Sequence, residues 1–168
     1  MLRTVETTPH PLVAAALASS AAPHVVRRHS ECPFPILAPR DFARCLARPL
    51  DVITKSLFLE LLASGQAPAY GVAVCSIPHR VDFTALAKRW NVAEVKLASR
   101  ATLAEKLGFP PTGVSPLGCE PYPVAMDEAI FAHETILVGG GVAGVEIELA
   151  PADLQRICGA TRFAFALQ

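Results

Sequence analysis

The spacing of apolar and polar residues divides the chain into short segments of two kinds. Runs of strand length at 71–77, 95–98, 124–126, 135–138 and 145–149 are rich in β-branched residues and bounded by proline, glycine or charge. Val25 and Val26 predict a further short strand, and Phe163, Phe165 and Leu167 alternate as in an edge strand. The run 52–62 reads as a buried strand, although its length leaves a helix open. Helical spacing appears at 83–90, where Phe83, Leu86, Ala87 and Trp90 share a face and Asp82 is placed to accept the unpaired amides of the first turn. Ser99 caps a second helix through Leu107, with Gly108 as its left-handed stop. Pro11 opens a helix over 12–22, 41–48 forms a short one before Pro49, another is predicted at 127–132, and the last runs from Pro151 to Gly159.

These elements interleave without the regular rhythm of a doubly wound parallel sheet. The expected class is α/β with a mixed, α+β-like arrangement, a sheet of both strand directions with helices packed on it. Residues 32–39 contain Pro33, Pro35 and Pro39, which deny ladder donors and predict a loop placed to line a site. Residues 109–118 are too rich in proline and glycine for regular structure. Residues 139–144, Gly-Gly-Gly-Val-Ala-Gly, form the turn of a hairpin.

Composition narrows the function classes. The 168 residues are 52% apolar and 18% charged, which fits one domain over 1–168 with a substantial core. Fifteen basic against fifteen acidic residues leave no net charge, so any nucleic-acid contact has to be local. Five cysteines with no C-x-x-C pair predict reduced thiols rather than zinc or a redox motif. Residues 1–10 lack the basic-then-apolar order of a signal, and the alanine-rich stretch after them is too short to span a membrane. A cytoplasmic protein with no membrane partner is expected.

Three features carry candidate chemistry. Lys55 lies inside an apolar run, where a lysine is costly to bury unless it has an anionic partner or opens onto a cleft. An outward-facing lysine on a half-exposed strand is the plain alternative. Residues 113–118, Gly-Val-Ser-Pro-Leu-Gly, allow close ligand approach, and their amides are suited to an anion or a developing oxyanion; a rigid connector is the alternative. The glycines at 139–141 do not match a phosphate-binding loop and instead suit the close approach of another chain or a ligand. His10, His24, His29, His79 and His133 show no metal spacing, and Ser115 lacks the nucleophile-elbow pattern. Neither metal nor cofactor is expected.

Taken in order, Thr54-Lys55-Ser56-Leu57, the 113–118 loop, and Val138-Gly139-Gly140-Gly141 through Glu146-Ile147-Glu148-Leu149-Ala150-Pro151-Ala152-Asp153-Leu154 resemble the YbaK/ProX family of aminoacyl-tRNA editing domains. The resemblance covers 40–159, with 1–39 as an N-terminal helix and proline-rich segment. It implies a strongly bent mixed sheet and hydrolysis of mischarged tRNA, commonly tRNA for proline carrying cysteine or alanine, with serine or threonine esters in other members. It implies catalytic roles for Lys55 and for the loop ends Gly113 and Gly118. Thr54, Ser56, Thr112, Val114, Ser115, Pro116, Asp127, Gly139 and Gly140 are the implied substrate-binding positions. The implied partners are the aminoacyl-tRNA acceptor end and prolyl-tRNA synthetase. Some relatives carry a polar residue where Gly139 stands, and the aromatic lining expected before the lysine is represented only by Arg28, His29 and Phe34. A catalytically inactive module that binds tRNA ends or a synthetase is the rival reading.

Overall fold

The computed structural model describes residues 8–168. The expectation about a signal in 1–10 falls largely on residues 1–7, outside the described part.

The runs predicted as strands form two principal sheets. In the larger, β2 (Thr54–Leu62) pairs antiparallel with β3 (Ala69–Ser76) and β5 (Glu94–Leu97), while β3 pairs parallel with β6 (Val124–Asp127) and β6 with β9 (Thr161–Phe163). The strand order is β5-β2-β3-β6-β9, a mixed sheet as expected. In the smaller, β8 (Val145–Leu149) lies between β1 (His24–Arg28) and β7 (Ile136–Gly139), antiparallel to both. A bridge between Ile53 and Leu137 joins the two sheets where β2 begins. β4 (Arg80–Val81) and β10 (Ala166–Leu167) form a separate ribbon.

Local chemistry explains most boundaries. Asp82 accepts a 3.0 Å bond from the Ala85 amide at the start of α3 (Phe83–Trp90), a cap worth about 1 kcal/mol, and Asn91 ends the helix in the left-handed region at φ 53°. Ser99 caps α4 (Arg100–Lys106) in the same way, accepting from Thr102. Proline opens α1 (Pro11–Ser20), α2 (Pro39–Cys45) and α5 (Pro151–Cys158), where its missing N–H costs nothing.

The largest core cluster gathers Val13 and Leu17 of α1, Phe58, Val72 and Val74 of the large sheet, and Val138 and Ile147 of the small one. A second lies under α3, with Leu59, Ala73, Leu86 and Phe165. A third holds α2 through Phe42, Val52, Ile53 and Leu137.

Several expectations need correction. The short helix predicted at 41–48 starts at Pro39 and stops at Cys45, because Pro39 suits the first turn and Leu46 begins to unwind it. Residues Glu128–Ala132 form a 3-10 turn rather than an α-helix. The edge strand expected through Phe163, Phe165 and Leu167 divides into β9 and β10, in different sheets. Phe165 is buried between them, and its amide is taken by the Asp127 carboxylate instead of a strand neighbour. The thiols are not all reduced, since Cys32 and Cys45 form a disulfide. Spacing hid that pair because α2 turns the chain back on itself.

Candidate functional site

The start of β2 is fixed from two sides. Thr54 donates its hydroxyl to the Leu137 carbonyl at 2.7 Å, and Ser76, its cross-strand partner, donates to the Asp51 carbonyl at 2.6 Å. Lys55 therefore leaves the sheet from a rigid base. Its Nζ donates to the carbonyls of Ile77 (3.3 Å) and His79, and no carboxylate forms an ion pair with it among the described residues. An ammonium has three protons to donate, so two carbonyls leave one for a ligand.

Lys55 lies in the wall of a cleft of about 530 Å³. Thr54, Ser56, Thr112, Val114 and Gly139 line the same cleft, so six of the expected positions converge there. Residues 36–39 form another stretch of its wall, which places the proline-rich loop where the sequence suggested. His29 and Glu146 complete the polar lining. The imidazole Nε2 lies 3.3 Å from Glu146 Oε1, and the ring packs on Phe42 with centroids 4.4 Å apart. Two buried oxygens on this wall, Ser56 Oγ and Glu146 Oε2, have no hydrogen-bond partner among the described residues. A buried polar oxygen left unpaired is costly, so this wall carries an unmet hydrogen-bonding demand.

The glycine hairpin and the proline-glycine loop lie against each other. A Cβ on Gly139 would lie 2.2 Å from the Val114 carbonyl oxygen, and one on Gly113 would lie 2.8 Å from the Val142 backbone. What the glycines admit is the protein's own loop, pressed into the cleft wall.

The remaining expected positions lie elsewhere. The Gly113 amide already donates to the Pro110 carbonyl at 2.9 Å, so it is not a free oxyanion donor. Ser115 is fully buried and its Oγ accepts from the Leu117 amide. Pro116 and Gly118 line a second cavity of about 670 Å³ beside α1, on the far side of the loop. Gly118 has φ 77°, and a Cβ there would meet the Leu12 backbone at 2.8 Å. Asp127 is buried, with Oδ1 accepting from the amides of Phe165 and Ala166 at 2.8 Å each and Oδ2 from Ala129. Gly140 is held in the hairpin, donating to Val145 and accepting from the His10 amide.

Glu146 was not among the expected site residues. Its signal was present as the first glutamate of Glu-Ile-Glu, where alternation places Glu146 and Glu148 on one face of β8. Glu148 accepts from Arg27, Arg48 and Thr135 instead. The free thiols offer no nucleophile: burial pushes Cys75 up to about 11 and both Cys119 and Cys158 up to about 12, so all remain protonated at neutral pH.

Residues 19–157 match the family model described as the aminoacyl-tRNA editing domain. A curated relative from Enterococcus faecalis, EbsC, named as a candidate Cys-tRNA(Pro)/Cys-tRNA(Cys) deacylase, is 28% identical over 110 residues, covering 65% of this chain and 67% of its own. The fold also matches a crystal structure described as a candidate trans-editing enzyme for prolyl tRNA synthetase, at TM-score 0.76 and 19% identity over 95% of this chain and 99% of that one. The hypothetical protein APE2540 matches at TM-score 0.79 and 19% identity, over 92% and 99% of the two chains.

Proposed function

The chain belongs to the aminoacyl-tRNA editing domain family, and from that premise we propose that it is a trans-editing hydrolase that deacylates mischarged aminoacyl-tRNA. The observation that carries the reading is Lys55, an ammonium without a carboxylate partner among the described residues, held on two carbonyls in the wall of a cleft. The proposed substrate is tRNA for proline carrying a small amino acid such as cysteine or alanine; the names of the relatives support the proline system and, in one of them, cysteine. Serine and threonine esters are the next candidates. The acceptor end of the tRNA is the partner, with prolyl-tRNA synthetase as a source of further affinity. The setting is cytoplasmic, where charged tRNA is found; no helix among the described residues is long and apolar enough to cross a membrane.

In this reading water attacks the ester carbonyl, a tetrahedral oxyanion forms, and the ribose oxygen leaves with a proton. Lys55 holds the substrate and offers its remaining N–H to the acyl group. Glu146 and Ser56 line the same cleft, and a carboxylate and a hydroxyl suit the α-ammonium and the ribose hydroxyls. The 2′-hydroxyl of the terminal adenosine helps to position or activate the water. An aminoacyl ester is already activated, so positioning with electrostatic help is chemically adequate. With Gly113 bonded to Pro110, the loop contribution passes to the wall residues Thr112 and Val114.

One observation favours the rival binding module. The amides of Gly113 and Leu117 are both satisfied within the loop, which removes two donors from any oxyanion site. Purified protein incubated with a panel of mischarged tRNAs separates the two readings. The hydrolase releases amino acid from at least one of them well above the spontaneous rate. Binding of an uncleavable aminoacyl-adenosine analogue with no release from any tRNA in the panel makes it a binding module.

A further inference from the structure

The stretch of cleft wall at residues 36–39 is tied to the fold chiefly through one residue, Asp41, which also donates its amide to the Ala38 carbonyl at 2.9 Å, and through the packing of Ile36 on the third core cluster. Pro33, Pro35 and Pro39 have no amide to donate. Cys32 donates to the His29 carbonyl, and the amides of Leu37 and Ala38 both rest on one oxygen, Asp41 Oδ2, at 3.1 and 2.9 Å. Phe34 lies under the Arg44 guanidinium, 4.3 Å from its ring centroid, and Leu37 is 88% exposed. What closes this loop covalently is the Cys32–Cys45 disulfide, from the end of a 3-10 turn to the end of α2.

We propose that the Cys32–Cys45 disulfide is a redox-sensitive pin on the wall of the Lys55 cleft, which sets how tightly the cleft holds an aminoacyl end. The substrate named here rests on the functional reading above, whereas the pin rests on the geometry alone. Ile36, Leu37, Ala38 and Pro39 line the cleft together with Lys55 and Ser56, so freedom in the loop is freedom in the wall. A wall fixed before binding holds its ligand more tightly than one that must be ordered by it.

Both cysteines of the pair are only partly buried and open to a small reagent, while the burial-raised free thiols elsewhere in the chain are poor exchange partners. Reduction by a small dithiol breaks the one S–S bond. Each protein sulfur gains an electron and a proton to become a thiol, and the reagent's two sulfurs leave joined as its disulfide. In a reducing compartment the pair therefore stays open and the wall loose, and oxidation closes it. Affinity for the aminoacyl end rises with oxidation.

Three measurements on the full chain test this. Protein prepared without reductant and then denatured should titrate three thiols, and five after dithiol treatment. Dithiol should raise KM for deacylation about fivefold while kcat stays within about twofold, and Cys32→Ser with Cys45→Ser should show the high KM in both conditions. Amide exchange at residues 36–38 should quicken on reduction of the wild type but not of the double variant. Five thiols in the oxidised protein, or wall exchange that ignores the dithiol, overturns the pin. If no tRNA is turned over in either state, the functional reading fails, and the exchange experiment still decides the pin.

Discussion

Gly139 and Val114 meet so closely that the only room between them is the space left by a missing side chain, with the position of a Cβ on Gly139 just 2.2 Å from the Val114 carbonyl oxygen. The contact joins the glycine hairpin to the proline-glycine loop and forms part of the wall of the Lys55 cleft. Gly139→Ala must drive backbone from backbone, and overpacking of this kind costs about 2 kcal/mol. Denaturant unfolding should show that loss, and a variant as stable as the wild type would contradict the contact.

Gly113→Val acts through the same interface. Its side chain meets the Val142 backbone, and its amide is already bonded to Pro110, so the substitution moves the loop without removing an oxyanion donor. In the folded fraction, single-turnover rate and affinity for an uncleavable aminoacyl-adenosine analogue should fall together. A rate that collapses while affinity holds would return the Gly113 amide to the chemistry.

Asp127 is expected to matter for stability alone. Its carboxylate accepts three backbone amides, from Ala129, Phe165 and Ala166, which ties the last strands to β6. Asp127→Ala strands those donors and should cost about 3 kcal/mol. Thermal unfolding together with analogue binding checks this; weaker binding by the folded variant would place Asp127 in the substrate site after all.

Glu148 gives the stability a pH dependence. Burial pushes its carboxyl up, but bonds from Thr135, Arg27 and Arg48 outweigh burial and hold it below its ordinary 4.5. A carboxylate depressed by folding contributes stability in full above its unfolded value and loses it as pH falls through the folded one. Glu148→Gln should cost about 2 kcal/mol near neutrality, with the difference from wild type shrinking below pH 4.5. A difference constant from pH 7 to pH 3 would mean the charge is not what the three donors hold.

The sequence made most of this legible where one residue determined the local outcome. Asp82, Ser99, Gly108 and Gly159 placed helix ends because capping is decided within a few residues. Lys55 stood out because a charge in an apolar run has few explanations. The missed features depend on distant partners. His29 stands among the lining residues that the sequence suggests, but its pairing with Glu146, 117 residues on, forms only because β1 pairs with β8. Cys32 and Cys45 are close in sequence, yet their bond needs the turn that α2 imposes. Gly118 looked like the second end of a catalytic loop, but the loop passes under α1 before reaching it.

In the proposed function Lys55 holds the aminoacyl end for hydrolysis. The most direct test of that role is the single-turnover deacylation rate of Lys55→Ala, beside Lys55→Met, which keeps much of the stem, on the mischarged tRNA that the wild type clears fastest. Loss of one positioning contact typically lowers the rate about a hundredfold. Both variants should show that drop while each unfolds cooperatively, as the wild type does. A folded Lys55→Ala or Lys55→Met protein that deacylates at close to the wild-type rate would contradict that role.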